Sequence, residues 1–267
     1  MSELSKILPE STDFRAAIMA AEAILKDSCE QISPEVIHHF APGIYMREMR
    51  IKKGTILTGK IHKTEHLCVL NGDIEIASED GKGRFTGYLT FLSKPGVKRI
   101  GYAHEDTVFT TVHATYETDI ERLEKSLAVD SFEEYDLHVI HEDFDAFLRE
   151  SGLSIELVSL LSKSEYDQIP MPDEFINKLE KWPSLIADDG LFVATPIKAD
   201  EYIAPARLSG KRTPAGRYIN HSPFPNTKIV ALENEDLQVY AIRPIKAGEE
   251  LTIDYRQSAL MNAGLLV

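Results

Sequence analysis

From about residue 44 to residue 115 the chain runs as short apolar stretches broken by glycine, and this rhythm limits the possible folds more than any other feature. The stretches are residues 44–51, 55–61, 66–70, 73–77, 85–92 and 107–113. Between them stand Lys53-Gly54, Asn71-Gly72, Asp80-Gly81, Lys82-Gly83 and Pro95-Gly96. Short strands at regular spacing with turn signals between them predict an antiparallel sandwich or barrel.

The flanks follow a different period. In residues 11–31, Phe14, Ala17, Ile18, Ala21, Ile24 and Leu25 recur at helical spacing, with Ser11 or Thr12 as the expected cap. Helical patterns return over residues 119–182, with Ile120, Leu123 and Leu127 on one face and further segments at 143–150, 155–162 and 173–182. From Leu185 to Tyr255 the pattern is again β-rich. The expected fold class is therefore mainly β with helical segments (α+β). It divides into a helical segment at 1–40, a β-barrel at 41–118, a helical connector at 119–182 and a compact β fold at 183–267.

Composition narrows the chemistry. A chain of 267 residues can form one large domain or two small ones. It contains no apolar run long enough to span a bilayer, and Met1-Ser2-Glu3-Leu4 does not open a secretory signal. Two cysteines, Cys29 and Cys68, make no disulfide framework, so a cytoplasmic location and no membrane partner are expected. The net charge of −14 repels duplex nucleic acid. The clearest basic cluster is only Lys198, Arg207, Lys211, Arg212 and Arg217. An acidic surface suits a basic partner, such as a lysine-bearing protein segment.

Two ordered blocks carry the most information. The first runs Arg217-Tyr218-Ile219-Asn220-His221-Ser222-Pro223-Phe224-Pro225-Asn226, and the second is Gly-Glu-Glu-Leu-Thr-Ile-Asp-Tyr, starting at Gly248 and ending at Tyr255. Together they resemble the SET family's R-[FY]-x-N-H-S-x-x-P-N and G-E-E-L-x-x-D-Y pattern. The stretch from Ile186 to Ala194, around Gly190, resembles that family's opening strand and glycine turn. The resemblance covers residues 183–257. It implies a knot-like arrangement in which Asn220-His221 threads beside the Gly248–Tyr255 segment, and an S-adenosylmethionine pocket. By the same resemblance Gly190 and Leu191 let the backbone approach the cofactor, Arg217 and Tyr218 wall the site, Asn220 and His221 bind cofactor, and Tyr255 is catalytic. Arg217 has a second reading as an ion-pair partner of Glu249 or Glu250.

The implied activity is methylation of protein lysine. Transfer from a sulfonium needs in-line positioning more than acid–base help, and an apolar channel favours the neutral amine. Three departures from the family pattern stand out. Position 188 is Asp where a second glycine is usual. Position 223 is Pro where many members carry a zinc-binding Cys. Only about thirty residues separate Gly190 from Asn220, where members usually carry a longer insert that walls the peptide groove. These departures keep open an alternative, a non-enzymatic assembly or binding protein with a degenerate SET fold, reminiscent of small proteins encoded by phages and bacteria.

The stretch from Gly59 to Asp73 resembles the first motif of cupins, and Pro95-Gly96 followed by His104 resembles the second. That likeness implies a cupin-like barrel, a homo-oligomer built through it, and one divalent metal. Neutral imidazoles with a carboxylate suit Zn, Fe, Ni or Mn. The metal candidates are His62, His66 and His104, with Glu65 or His113 as a fourth ligand. A metal-free barrel with surface histidines is the competing reading.

Overall fold

The computed structural model describes residues 3–8, 11 and 13–257, without the side chain of Leu161. It divides into two compact units, Met1–Tyr135 and Asp136–Val267.

After a short 3-10 turn at Leu4–Lys6 comes α1 (Phe14–Ser28), which buries Ala17, Ile18 and Ala21 on one stripe. Asp13 is its cap, accepting the Ala16 amide at 3.1 Å. Ser11 instead accepts the Asp13 amide at 3.0 Å, and Thr12 lies outside the described residues. Eight strands follow: β1 (Glu35–Ala41), β2 (Ile44–Ile51), β3 (Ile56–Thr58), β4 (Ile61–His62), β5 (His66–Ser78), β6 (Gly81–Ser93), β7 (Ile100–Ala103) and β8 (Thr107–Ala114). After them come α2 (Ile120–Leu127) and β9 (Ala128–Val129), the latter paired with β4.

Seven strands form one antiparallel sheet in the order β1-β2-β8-β5-β7-β3, with β6 on β5. The sheet curls into a half-barrel, in keeping with the mainly β fold with helical segments expected from the sequence. One core inside it holds Ile51, Leu70, Ile74, Ile76 and Ala103; another gathers Leu4, Ile18, Ile61, Ile100 and Phe132 around α1. Each large aliphatic removed from water here contributes roughly 1.5–3 kcal/mol.

Asn71-Gly72 does not break a strand, because β5 runs through it. Gly72 has φ +150°, and a Cβ there would strike Thr107, so the glycine serves close approach to the start of β8. Lys82-Gly83 likewise lies inside β6, and the hairpin turns at Glu79-Asp80, between Ser78 and Gly81. β1 begins within the segment read as helical, and β7 carries no alternating pattern long enough to reveal it.

The second unit begins within α3 (Phe132–Ser151), followed by α4 (Ile155–Lys163) and α5 (Asp173–Ile176). The helix expected over 173–182 ends at Ile176, and Leu179–Pro183 is β10, paired with β11 (Asp189–Val193) in a hairpin. Tertiary pairing overrides the helical spacing there, with Trp182 opposite Gly190. Then come β12 (Tyr202–Leu208), β13 (Lys211–Arg212), α6 (Ala215–Tyr218), β14 (Asn220–His221), β15 (Thr227–Ala231), β16 (Leu237–Ala241) and β17 (Thr252–Ile253). Four of them form the sheet β13-β12-β16-β15 over a core of Leu191, Val193, Ile203, Val239, Ile245 and Leu251.

β14 and β17 pair in parallel, Asn220 with Thr252 and His221 with Ile253, so the two sequence blocks do thread side by side. Asn226, read from sequence as part of a turn, is buried and clamps this crossing. Its amide donates to the Glu250 carbonyl at 2.7 Å, and its side-chain oxygen accepts the Thr252 amide at 2.8 Å. Gly216 brings α6 against β12, since a Cβ there would run into the Ala206 carbonyl. Among the described residues, no helix is long and apolar enough to cross a membrane.

Candidate functional site

A cavity of about 830 Å³ in the second unit is walled by α3, α4, the 186–189 loop and the threaded blocks. Arg217, Tyr218, Asn220, His221 and Tyr255 all line it. α3 contributes Ile140 and Phe144, and α4 contributes Val158 and Ser159. The relevant side of α3 is a regular helical stripe, with Ile140, Asp143, Phe144 and Phe147 spaced by three and four residues.

Tyr255 sits in an aromatic box. Its ring centroid lies 5.2 Å from His221, 6.0 Å from Phe147 and 6.1 Å from Phe144. Its hydroxyl donates to the Ile219 carbonyl at 3.3 Å. Burial first, then the negative charge of Glu250, pushes its pKa up to about 12, so the phenol stays protonated at neutral pH.

His221 is fixed at both ring nitrogens. Nδ1 accepts the Tyr255 amide at 3.2 Å, so this nitrogen carries no proton. Nε2 therefore holds the proton and donates to Asp143 Oδ2 at 2.9 Å. Burial lowers the His221 pKa more than Asp143 raises it, which keeps the ring neutral. For Asp143 burial acts upward, but hydrogen bonds from Arg256 and His221 outweigh it and hold the carboxyl below its ordinary value. Arg256 donates to Asp143 at 2.7 Å and to Glu150 at 2.7 Å, two turns further along α3.

Asn220 and Gly190 meet at Glu250. The Asn220 amide nitrogen donates to Glu250 Oε1 at 2.8 Å and lies 3.2 Å from the Ala187 carbonyl. Ser184 Oγ donates to the same carboxylate at 2.9 Å. A Cβ on Gly190 would collide with this carboxylate, so the glycine's close approach is to Glu250 and not to the cavity. Leu191 buries its side chain in the core and gives its carbonyl to the Leu251 amide at 2.7 Å. Neither Gly190 nor Leu191 is among the residues that line the cavity. Asp188, at the position of the missing glycine, takes the left-handed conformation a glycine would supply, with φ 41°. Arg217 pairs with neither Glu249 nor Glu250; its guanidinium lies 5.1 Å from the Tyr218 ring, over which Lys181 also sits at 4.8 Å. Arg243 is the partner of Glu249.

A second cluster lies in the first unit. His62, His66 and His113 present ring nitrogens all within 4.8 Å of one another. Their ring centroids are 4.1–5.0 Å apart. His66 Nδ1 donates to the Thr64 carbonyl at 3.0 Å, which leaves its Nε2 lone pair free. Nδ1 of His62 and of His113 are buried without a hydrogen-bond partner among the described residues. Burial, reinforced by the neighbouring histidines, lowers His62 to about 2 and His113 to about 4, so both are neutral at pH 7. Three neutral imidazoles converging in this way fit a divalent transition metal. His104 does not join them. Its backbone amide is tied to the Asp73 carbonyl, seven residues along β5 from His66, and its ring lies edge-on to Tyr102. Glu65 is exposed outside the cluster.

A family model described as SET domain matches residues 48–256. The chain belongs to the SET-domain family. A search of curated proteins finds none that matches it. Among solved structures, KdgF from Halomonas sp. is similar at 14% identity over 34% of this chain and 90% of that one, with a TM-score of 0.28. A cupin-2 domain containing protein from Shewanella frigidimarina is similar at 15% identity over 35% and 91%, with a TM-score of 0.26.

Within this SET-domain protein, sequence reasoning missed Asp143, Glu250 and the two aromatics of α3. Glu250 lies inside the second sequence block, where sequence alone offers it only as an ion-pair partner of Arg217. Asp143 lay at the start of an expected helix and showed no local sign of its partner, which is 78 residues away. His113 was a reserve candidate, and its place on the same side of β8 as Thr111 was the available signal.

Proposed function

We propose that this SET-domain protein is an S-adenosylmethionine-dependent protein-lysine methyltransferase of minimal type. The observation that carries the reading is Tyr255, a protonated phenol in an aromatic box on a large cavity that Arg217, Tyr218, Asn220 and His221 also line. Those residues fit the cofactor: Arg217 offers a cation for its carboxylate, and the Tyr218 and Phe144 rings offer apolar faces. When bound, the cofactor supplies a methyl group on a positively charged sulfur. His221 holds the Tyr255 backbone in place through Nδ1, and the box keeps water from the phenol. Tyr255 acts by orienting the amine and by its dipole, since a phenol with so high a pKa is not a base at neutral pH. In the neutral amine form, a lysine entering an apolar channel beside Phe144 and Ile140 is the competent nucleophile.

The short insert before Asn220 leaves a wall to be supplied, and α3 and α4 stand in for it in this reading. The substrate is a lysine-bearing segment of another protein, matched to the acidic charge of the chain. A cytoplasmic setting suits the two free cysteines, Cys29 and Cys68.

A specific observation favours the second reading, a non-enzymatic binding or assembly protein. The Asn220 amide is engaged by Glu250 and backbone carbonyls, and the side of Gly190 that would admit a cofactor faces that carboxylate. Titration calorimetry with S-adenosylmethionine separates the two. Saturable binding at micromolar to millimolar concentration supports the enzyme, and none at millimolar concentration supports the binding protein. Independently, His62, His66 and His113 are proposed to hold one divalent metal, which would supply Lewis acidity or structural support in the barrel.

A further inference from the structure

The barrel's inner face carries a feature that neither methyl transfer nor the histidine cluster uses. Across β2 and β8, Tyr45 stands opposite His113, Arg47 opposite Thr111 and Met49 opposite Phe109. On β5, Cys68 stands opposite Thr111 and Leu70 opposite Phe109. Residues two apart on a strand share a face. A polar row of Arg47, Thr111 and Cys68 therefore runs between the histidines and an apolar floor.

A cavity of about 750 Å³ opens on this face, with Arg47, Thr111, His62 and His113 in its wall. A second space of about 80 Å³ shares His62 and Thr111 with it and adds Arg99. The two spaces share Met49, Leu57, His62, Phe109 and Thr111 in their walls, so Arg47 and Arg99 border the same stretch of the inner face.

The lysines around the opening have acidic partners: Lys26 with Glu22, Lys52 with Asp106, Lys53 with Glu105 and Lys60 with Asp130. Arg47 and Arg99 make no ion pair among the described residues. Arg47 meets the Met49 sulfur at 4.0 Å, while Arg99 donates to Ser93 Oγ at 2.9 Å and lies 5.5 Å from the Phe91 ring centroid. Shortage of carboxylates is not the reason, since the chain has 43 acidic residues against 29 basic. A half-buried guanidinium without a counter-charge is costly, and the buried Thr111 hydroxyl beside Arg47 has no hydrogen-bond partner among the described residues.

We propose that the barrel binds a small organic acid, its carboxylate held by Arg47 and Arg99 beside the Thr111 hydroxyl and its carbon skeleton against Met49, Leu57 and Phe109. A guanidinium presents paired N–H groups that match a carboxylate, and the apolar floor selects a carbon body over a bare inorganic anion.

The test is calorimetric titration of the full chain with succinate and hexanoate, using succinamide and inorganic phosphate as controls, before and after treatment with a chelator. At least one carboxylate binds in both preparations, more tightly than phosphate, and succinamide does not bind. Arg47→Gln and Arg99→Gln each weaken binding roughly tenfold or more. If Arg99→Gln fails to fold, Arg47→Gln alone decides. No binding of either carboxylate at millimolar concentration overturns the proposal, as does unchanged affinity in the variants. Binding lost on chelation overturns it in favour of a metal-held acid, and phosphate binding as tightly as the carboxylates overturns the organic-acid assignment.

Discussion

His221 donates its Nε2 proton to Asp143 at 2.9 Å, and that one bond decides what its other nitrogen can do. With the proton on Nε2, Nδ1 is free to accept the Tyr255 amide. A helix residue thus sets the tautomer of a motif histidine, and the histidine in turn holds the backbone of the candidate catalytic tyrosine.

Asp143→Ala is expected to destabilise the second unit by about 1–3 kcal/mol, because it leaves the buried His221 donor unpaired and removes a partner of Arg256. Chemical denaturation measures this. The pH sign is fixed by the direction of the Asp143 shift. A carboxyl with a depressed folded pKa contributes stability above its unfolded value and loses it as pH falls through the folded one. The wild type should therefore lose this advantage below about pH 4, and the variant should lack that part of the acid slope. Equal acid slopes would show that the pair contributes nothing.

Tyr255→Phe is expected to bind S-adenosylmethionine within a few-fold of wild type and to lose methyl transfer by roughly a hundredfold or more. Among the described residues the hydroxyl meets only the Ile219 carbonyl, while the ring's contacts survive in phenylalanine. Calorimetry and transfer of labelled methyl to peptide lysine read the two effects separately. A variant that keeps full turnover removes Tyr255 from the chemistry.

How far the sequence disclosed this molecule depended on whether the information was local. β2 falls on the apolar run at 44–51, and the threading of Asn220-His221 beside Thr252-Ile253 followed from two ordered blocks. Gly72 was misread because a glycine that makes room for Thr107 looks the same in one dimension as a glycine that turns a chain. Trp182 was misread because helical spacing persisted into a segment that the pairing with Gly190 draws into a hairpin. Asp143 and Glu250 stayed hidden for a related reason: each acts on a partner thirty or more residues away, and no periodicity encodes such a distance.

Gly216→Ala should cost more than Gly190→Ala. At 216 the added Cβ meets the backbone carbonyl of Ala206, which the Thr213 amide holds at 3.0 Å, and about 3 kcal/mol or more is expected. At 190 it meets the Glu250 carboxylate, the movable end of a side chain. That group can swing aside at the loss of hydrogen bonds from Ser184 and Asn220, about 1–2 kcal/mol. Denaturation midpoints of the two variants rank them. The reverse order would mean that Glu250 is pinned more firmly than the strand.

The histidine cluster makes the barrel acid-sensitive and, in the proposed reading, metal-dependent. A base whose folded pKa lies below its unfolded value binds fewer protons when native, so stability falls as pH drops below about 6.5. For His113, lowered by burial from 6.5 to about 4, the loss between pH 7 and pH 4 approaches 3 kcal/mol. A bound divalent ion requires neutral imidazoles, so it should raise the melting temperature at pH 7 and lose that effect on acidification. His113→Ala should abolish the metal-induced rise, whereas His104→Ala should keep it, because His104 stands apart beside Asp73 and Tyr102. Thermal denaturation with and without Zn, Ni or Mn, followed across pH in both variants, distinguishes them. A rise that vanishes with His104 and survives loss of His113 would reverse the ligand assignment.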